Sequence, residues 1–157
     1  MYSRFIFRMG RHCNDLPLRL TLKYPSNQVN ILSARNMDPT VATASTTGGH
    51  NIETPAGRKS FTVDEYIKLC VEEQPRVVLG MADETNHSTS KKRSRKAYDA
   101  TLHWFAKLSS SNEIDWDKCL LFGVVTGIGS TDDTYVRAMV DDLLQKGAKG
   151  IVCSYML

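Results

Sequence analysis

None of the four cysteines, Cys13, Cys70, Cys119 and Cys153, belongs to a C-x-x-C pair or to a Cys/His cluster with zinc-ligand spacing. The four histidines, His12, His50, His87 and His103, are equally scattered. The chain therefore offers no complete metal site of its own, and its thiols read as the reduced side chains of an intracellular protein. It also lacks any apolar run near the ~20 residues needed to span a bilayer, and it lacks a secretory h-region, so no transmembrane segment is expected and the protein reads as cytoplasmic.

A phosphate-binding signature is missing as well. There is no G-K-[ST], and although Gly127 and Gly129 begin like G-x-G-x-x-G, Asp132 occupies the third position. Asp132 and Asp133 at a helix start would repel a phosphate that needed the same backbone N–H groups. Those glycines read as a tight turn after a strand.

What is present fits one globular domain over residues 1–157, with 41% hydrophobic and 24% charged residues, enough for a core. The formal net charge of +3 conceals an uneven distribution. Lys91, Lys92, Arg93, Arg95 and Lys96 form one basic block, whereas Asp132, Asp133, Asp141 and Asp142 follow later. An anionic partner should meet the basic block.

The stretch Pro75 to Leu108 organises the rest. Arg76–Met81 is a short β-branched, apolar run without alternation, as in a strand covered on both faces of a parallel sheet. It closes in Asp83-Glu84, and ligands of such sheets sit beyond the strands' carboxyl ends, so Asp83 is the first candidate ligand contact. A helix is predicted from Thr89 or Ser90 through Lys107, with Ala97, Thr101, Trp104 and Leu108 on one stripe and Tyr98, Leu102 and Phe105 beside it. Its basic residues crowd the first turns, where the helix dipole disfavours cations by a few tenths to ~1 kcal/mol each. That placement points either to an anion contact or to a solvated charge run.

Along the chain, residues 1–28 carry Arg4, Arg8, Arg11 and Arg19 against Asp15, with apolar residues between them. The composition loosely resembles a mitochondrial presequence, which would associate the protein with that organelle, but it is poor in Ser; a strand or short amphipathic element is the other reading. Val29–Ser33 is a strand candidate. Asn36–Arg58, rich in Thr, Ser, Gly and Pro, reads as the longest loop, in which Thr46–His50 could let backbone approach a ligand. Thr62-Val-Asp-Glu65 is a capping box opening a helix to about Glu73, with Val63, Tyr66, Ile67 and Cys70 on one face and Pro75 stopping it. Cys119–Thr126 reads as a second buried strand. A helix capped by Ser130 or Thr131 follows, with Tyr135, Val136, Met139, Val140, Leu143 and Leu144 on its apolar face and Lys146-Gly147 at its end. Gly150–Leu157 reads as a third buried strand, joined by a parallel crossover.

Four pieces in this order resemble the queuine tRNA-ribosyltransferase, or tRNA-guanine transglycosylase, family, and specifically its accessory subunits. Gly57-Arg58 with Phe61-Thr-Val-Asp-Glu65 looks like the family's glycine turn and capped helix. Gln74-Pro75-Arg76 through Met81-Ala-Asp83-Glu84 is similar to its strand ending in an acidic pair, Lys92–Lys96 with Asp99 resembles the accessory subunit's basic helix start, and Leu121–Gly127 looks like the next barrel strand.

The resemblance implies an α/β fold, a partial TIM (β/α)8-type barrel with about half of the barrel present. It implies a noncatalytic accessory subunit that joins a catalytic queuine tRNA-ribosyltransferase subunit as a heterodimer and binds tRNA, while the catalytic subunit exchanges the wobble guanine for queuine. Asp83 falls at the position of a base-recognising aspartate in catalytic members, and Thr126 and Gly127 at positions beside the base. Thr126 stands where catalytic members have glutamine, and Cys153-Ser154 where they have a glycine pair, departures that speak against a working base pocket. Lys91, Lys92, Arg93, Arg95 and Lys96 become the RNA or partner contacts. No cofactor is expected within this chain; the family's zinc site and nucleophile strand would lie beyond Leu157. The chain is accordingly expected to be part of a longer barrel, and marginally stable in isolation. The competing reading is a small α/β enzyme whose Asp83, Glu84 and Asp132 line a site for a metal or sugar at the strand carboxyl ends.

Overall fold

The computed structural model describes residues 4–6, 29–34, 49–54, 57–84, 90–126 and 133–153. In chain order these form β1 (Arg4–Ile6), β2 (Asn30–Leu32), β3 (His50–Thr54), β4 (Gly57–Phe61), α1 (Val63–Glu73), β5 (Val77–Leu79), α2 (Lys91–Ser109), β6 (Leu120–Val125), α3 (Asp133–Gln145) and β7 (Gly150–Cys153). The fold is mixed α/β. Strands β2, β5, β6 and β7 make a parallel sheet in that order, and short β1 extends it by pairing in parallel with β2. Strands β3 and β4 form a separate antiparallel hairpin.

Spatial order thus follows chain order across the parallel sheet, and side-chain alternation splits its faces cleanly. Leu32, Val78, Leu121 and Val125 point to one face and share a core with Tyr66, Ile67 and Cys70 of α1, Trp104, Phe105 and Leu108 of α2, and Met139 and Leu143 of α3. The intervening residues Leu79 and Val124 form a second cluster with Ile31, Val77, Phe122 and Val152 on the opposite face. All three described helices therefore cover the same side of the sheet. Gly123 permits the closest approach: a Cβ there would stand 2.9 Å from Leu143 Cδ1 and 3.1 Å from Leu143 Cβ, so the missing side chain lets α3 lie flat on β6.

Local signals explain where elements begin and end. Thr62 caps α1 as a full capping box: its N–H donates to the Glu65 carboxylate at 2.9 Å, and the Glu65 N–H donates to Thr62 Oγ1 at 3.2 Å. The helix closes on Gln74 in the left-handed region, with φ of 46°, immediately before Pro75. Ser90 caps α2, its Oγ accepting from the Arg93 N–H at 3.4 Å. The proposed caps of α3, Ser130 and Thr131, lie outside the described residues. The last turn of α3 closes through Gly147, whose φ of +95° suits glycine.

Three expectations are corrected. The stretch 36–58 is not one loop, because β3 lies within it and β4 begins at Gly57. The hairpin escapes a hydrophobicity pattern because its strands, HNIET and GRKSF, are mostly polar in sequence, and of its residues Phe61 packs against the core. Within the same stretch, Gly49 lies tight against the opposite strand, where a Cβ would meet the Phe61 carbonyl oxygen at 2.5 Å, and residues 46–48 lie outside the described residues. Leu144, placed on the apolar face of α3, is 47% exposed, because Met139 and Leu143 already fill the contact with the sheet. The buried strands are also shorter than predicted, β5 ending at Leu79 and β6 at Val125, with Met81, Ala82 and Thr126 buried just beyond them.

Candidate polyanion-binding edge

Because the sheet is parallel, the carboxyl ends of its strands meet at one edge, and the polar residues that follow them gather there. Asp83 and Glu84 follow β5 and Thr126 follows β6, and all three are buried. Gly127 and Asp132 lie outside the described residues.

Asp83 is held at both ends. Its backbone N–H donates to the fully buried Thr101 Oγ1 of α2 at 3.0 Å. Its carboxylate takes a two-pronged contact from Arg93, with Nη1 donating to Oδ2 at 2.5 Å and Nη2 donating to Oδ1 at 2.6 Å. The Asp83 side chain is 4% exposed and that of Arg93 31%. Hydrogen bonding to Asp83 raises the Arg93 pKa, with burial opposing. The fork geometry of a guanidinium matches a carboxylate, so this pair fixes direction as well as charge.

The basic block therefore divides. Arg93 turns inward, whereas Lys91, Lys92, Arg95 and Lys96 are exposed. At 100° per residue, those four cover an arc of about 140° on the side of α2 away from Ala97, Thr101, Trp104 and Leu108. Asp99 shares the arc and pairs with Arg95 at 3.3 Å, and the Arg95 guanidinium lies 5.6 Å from the Tyr98 ring centroid. Four cations face solvent against this one carboxylate, at a helix start with no acidic residue in its first turn.

Helix α3 secures the same turn from its other side. The Tyr135 hydroxyl donates to the Ser94 carbonyl at 2.7 Å, its ring lies 5.1 Å from that of Tyr98, and the Tyr98 hydroxyl donates to Asp142. Burial, reinforced by the Asp99 carboxylate, pushes the Tyr135 hydroxyl up to about 12; burial and the Asp142 acceptor raise that of Tyr98. Sequence reasoning placed Tyr135 on an apolar face and assigned its hydroxyl no partner. The inward turn of Arg93, by contrast, has a readable signal: it stands four residues before Ala97 and eleven before Trp104, on the border of the buried stripe.

Among the described residues no group of three or more His, Cys, Asp or Glu side chains could hold a metal ion, and no helix is long and apolar enough to cross a membrane. What the described residues place at this edge is a group of exposed cations, Lys91, Lys92, Arg95 and Lys96, above the buried carboxylate of Asp83. Comparison of the chain with protein-family models and with curated proteins finds no match.

Proposed function

We propose that the chain acts as a noncatalytic accessory subunit in tRNA base exchange, the role implied by its resemblance to the tRNA-guanine transglycosylases, and that its α2 start contacts tRNA phosphates. The observation that carries this reading is the cationic arc of Lys91, Lys92, Arg95 and Lys96 at the carboxyl edge of a parallel sheet. Among the described residues the strand order does not reverse and the helices cover a single face, which supports the half-barrel part of the reading, since a doubly wound sheet reverses its order and carries helices on both faces. The partner would be a catalytic queuine tRNA-ribosyltransferase subunit, placing the chain with that enzyme in the cytoplasm or at the mitochondrion. The competing small-enzyme reading has less support, because its leading carboxylate, Asp83, has both oxygens engaged by Arg93.

Co-purification with such a catalytic subunit tests the proposal, with tRNA present or removed by nuclease. The comparison is between the wild-type chain and a Lys91→Glu/Lys92→Glu/Arg95→Glu/Lys96→Glu variant, which leaves Arg93 in place. Association of the wild type that the variant loses is the expected result, and loss of association after nuclease would identify RNA as the bridge. A wild-type chain that captures neither the subunit nor tRNA would remove the accessory reading.

A further inference from the structure

Arg93 belongs to the basic block in sequence but not in space, and this separation assigns it a different task. We infer that Arg93 is a positioning residue: through its fork on Asp83 it fastens the first turn of α2 to the carboxyl end of β5, so that Lys91, Lys92, Arg95 and Lys96 meet a polyanion as one preoriented surface. The inference rests on the polyanion-binding part of the proposed function and extends it to a half-buried ion pair that itself touches no ligand.

The geometry gives three reasons. The turn carries its cations against the helix dipole and against one another, so left to itself it would fray and spread its charges. It is held at two consecutive residues from two directions, Arg93 by Asp83 of the β5 segment and the Ser94 carbonyl by Tyr135 of α3. Asp83 is itself anchored through its backbone to Thr101, two turns further along α2, so the pair ties a helix start to a segment that the same helix already fixes. Long cationic side chains on an ordered turn lose less entropy on binding than the same side chains on a frayed one, which is how a contact that never reaches the ligand raises affinity.

A direct phosphate contact and a positioning role predict opposite behaviour for Asp83. If Arg93 touched phosphate, removing the Asp83 charge would release it and leave binding unchanged or tighter. If Arg93 positions the turn, Asp83→Asn and Arg93→Gln should weaken binding alike, and the double variant should be no weaker than either single one.

The test measures binding of total tRNA and of heparin to the full 157-residue chain over a series of salt concentrations, with circular dichroism confirming that each variant is folded. Each single variant is expected to bind about tenfold more weakly while keeping the wild-type salt slope, whereas Lys91→Ala lowers the slope by roughly 0.7–0.9 because it removes a phosphate contact. Tyr135→Phe, which breaks the second attachment without changing charge, should weaken binding in the same direction and serves if either variant of the pair fails to fold. Additive losses, a reduced slope for Arg93→Gln, or Asp83→Asn and Tyr135→Phe variants that bind as well as wild type would each overturn the inference. Retention of heparin without tRNA would defeat the tRNA reading and leave the positioning role to be decided by the same variants; a wild-type chain that binds neither polyanion would overturn both.

Discussion

The hydroxyl of Tyr66, on α1, lies 2.8 Å from the carbonyl oxygen of Leu79, the last residue of β5. The Leu32 carbonyl, at the end of β2, is 3.1 Å from the same hydroxyl, and Tyr66 is fully buried. One helix side chain therefore bridges the carboxyl ends of two paired strands directly beneath the edge that carries Asp83. Tyr66→Phe keeps the ring and its edge contact with Phe61 but withdraws the partner of buried carbonyl groups. The expected cost is about 1–3 kcal/mol, with the melting temperature lower by roughly 2–4 °C per kcal/mol for a chain of this size. Thermal and urea unfolding of the variant check this; an unchanged midpoint would mean that the hydroxyl bridge contributes nothing.

How legible the molecule was depended on which forces act locally. The capping box at Thr62, the stop at Pro75, the buried stripe of α2 and the core strands around Val78 and Leu121 all rest on short-range signals, and each stands close to where the sequence placed it. The β3–β4 hairpin did not announce itself, because pairing such as Asn51 with Ser60 depends on two polar strands meeting and not on either strand's own pattern. The candidate site was half legible. Sequence located the cations and Asp83, but the contact that binds Arg93 to Asp83 forms only when the segment after β5 folds back along α2. Tyr135 is further removed still, reaching Ser94 from 41 residues away.

Alkaline pH should expose the cost of buried thiols and phenols. Burial is the main cause that pushes Cys119 up to about 11 from an ordinary value of 9.0, and burial likewise raises Cys70 and Tyr66. A folded-state pKa above the unfolded one means that the folded chain holds its proton more tightly. The contribution is therefore fully present below the unfolded value and is lost as pH rises through the folded one. The urea midpoint is expected to be insensitive to these groups up to about pH 8, then to fall between about pH 9 and 11. Cys119→Ala should shallow that fall without steepening it elsewhere. A midpoint that stays level through pH 11 would refute the assignment.

Stability and binding make opposite demands on the start of α2, which gives the most discriminating substitution. Lys91 and Lys92 are exposed in a first turn that holds no acidic residue, so they sit against the positive end of the helix dipole. Glutamate at either position reverses that interaction, and Lys91→Glu/Lys92→Glu is expected to stabilise the fold by a few tenths to ~1 kcal/mol per site at low salt. The same variant should lose polyanion affinity, because two attractive charges become two repulsive ones on the exposed arc. A turn that served only as a solvated surface would show the gain in stability with no loss of binding. A turn selected for an anion shows both, and measuring unfolding and tRNA retention on one preparation separates the cases: raised stability with weakened retention identifies cations kept at a structural disadvantage for the sake of their ligand.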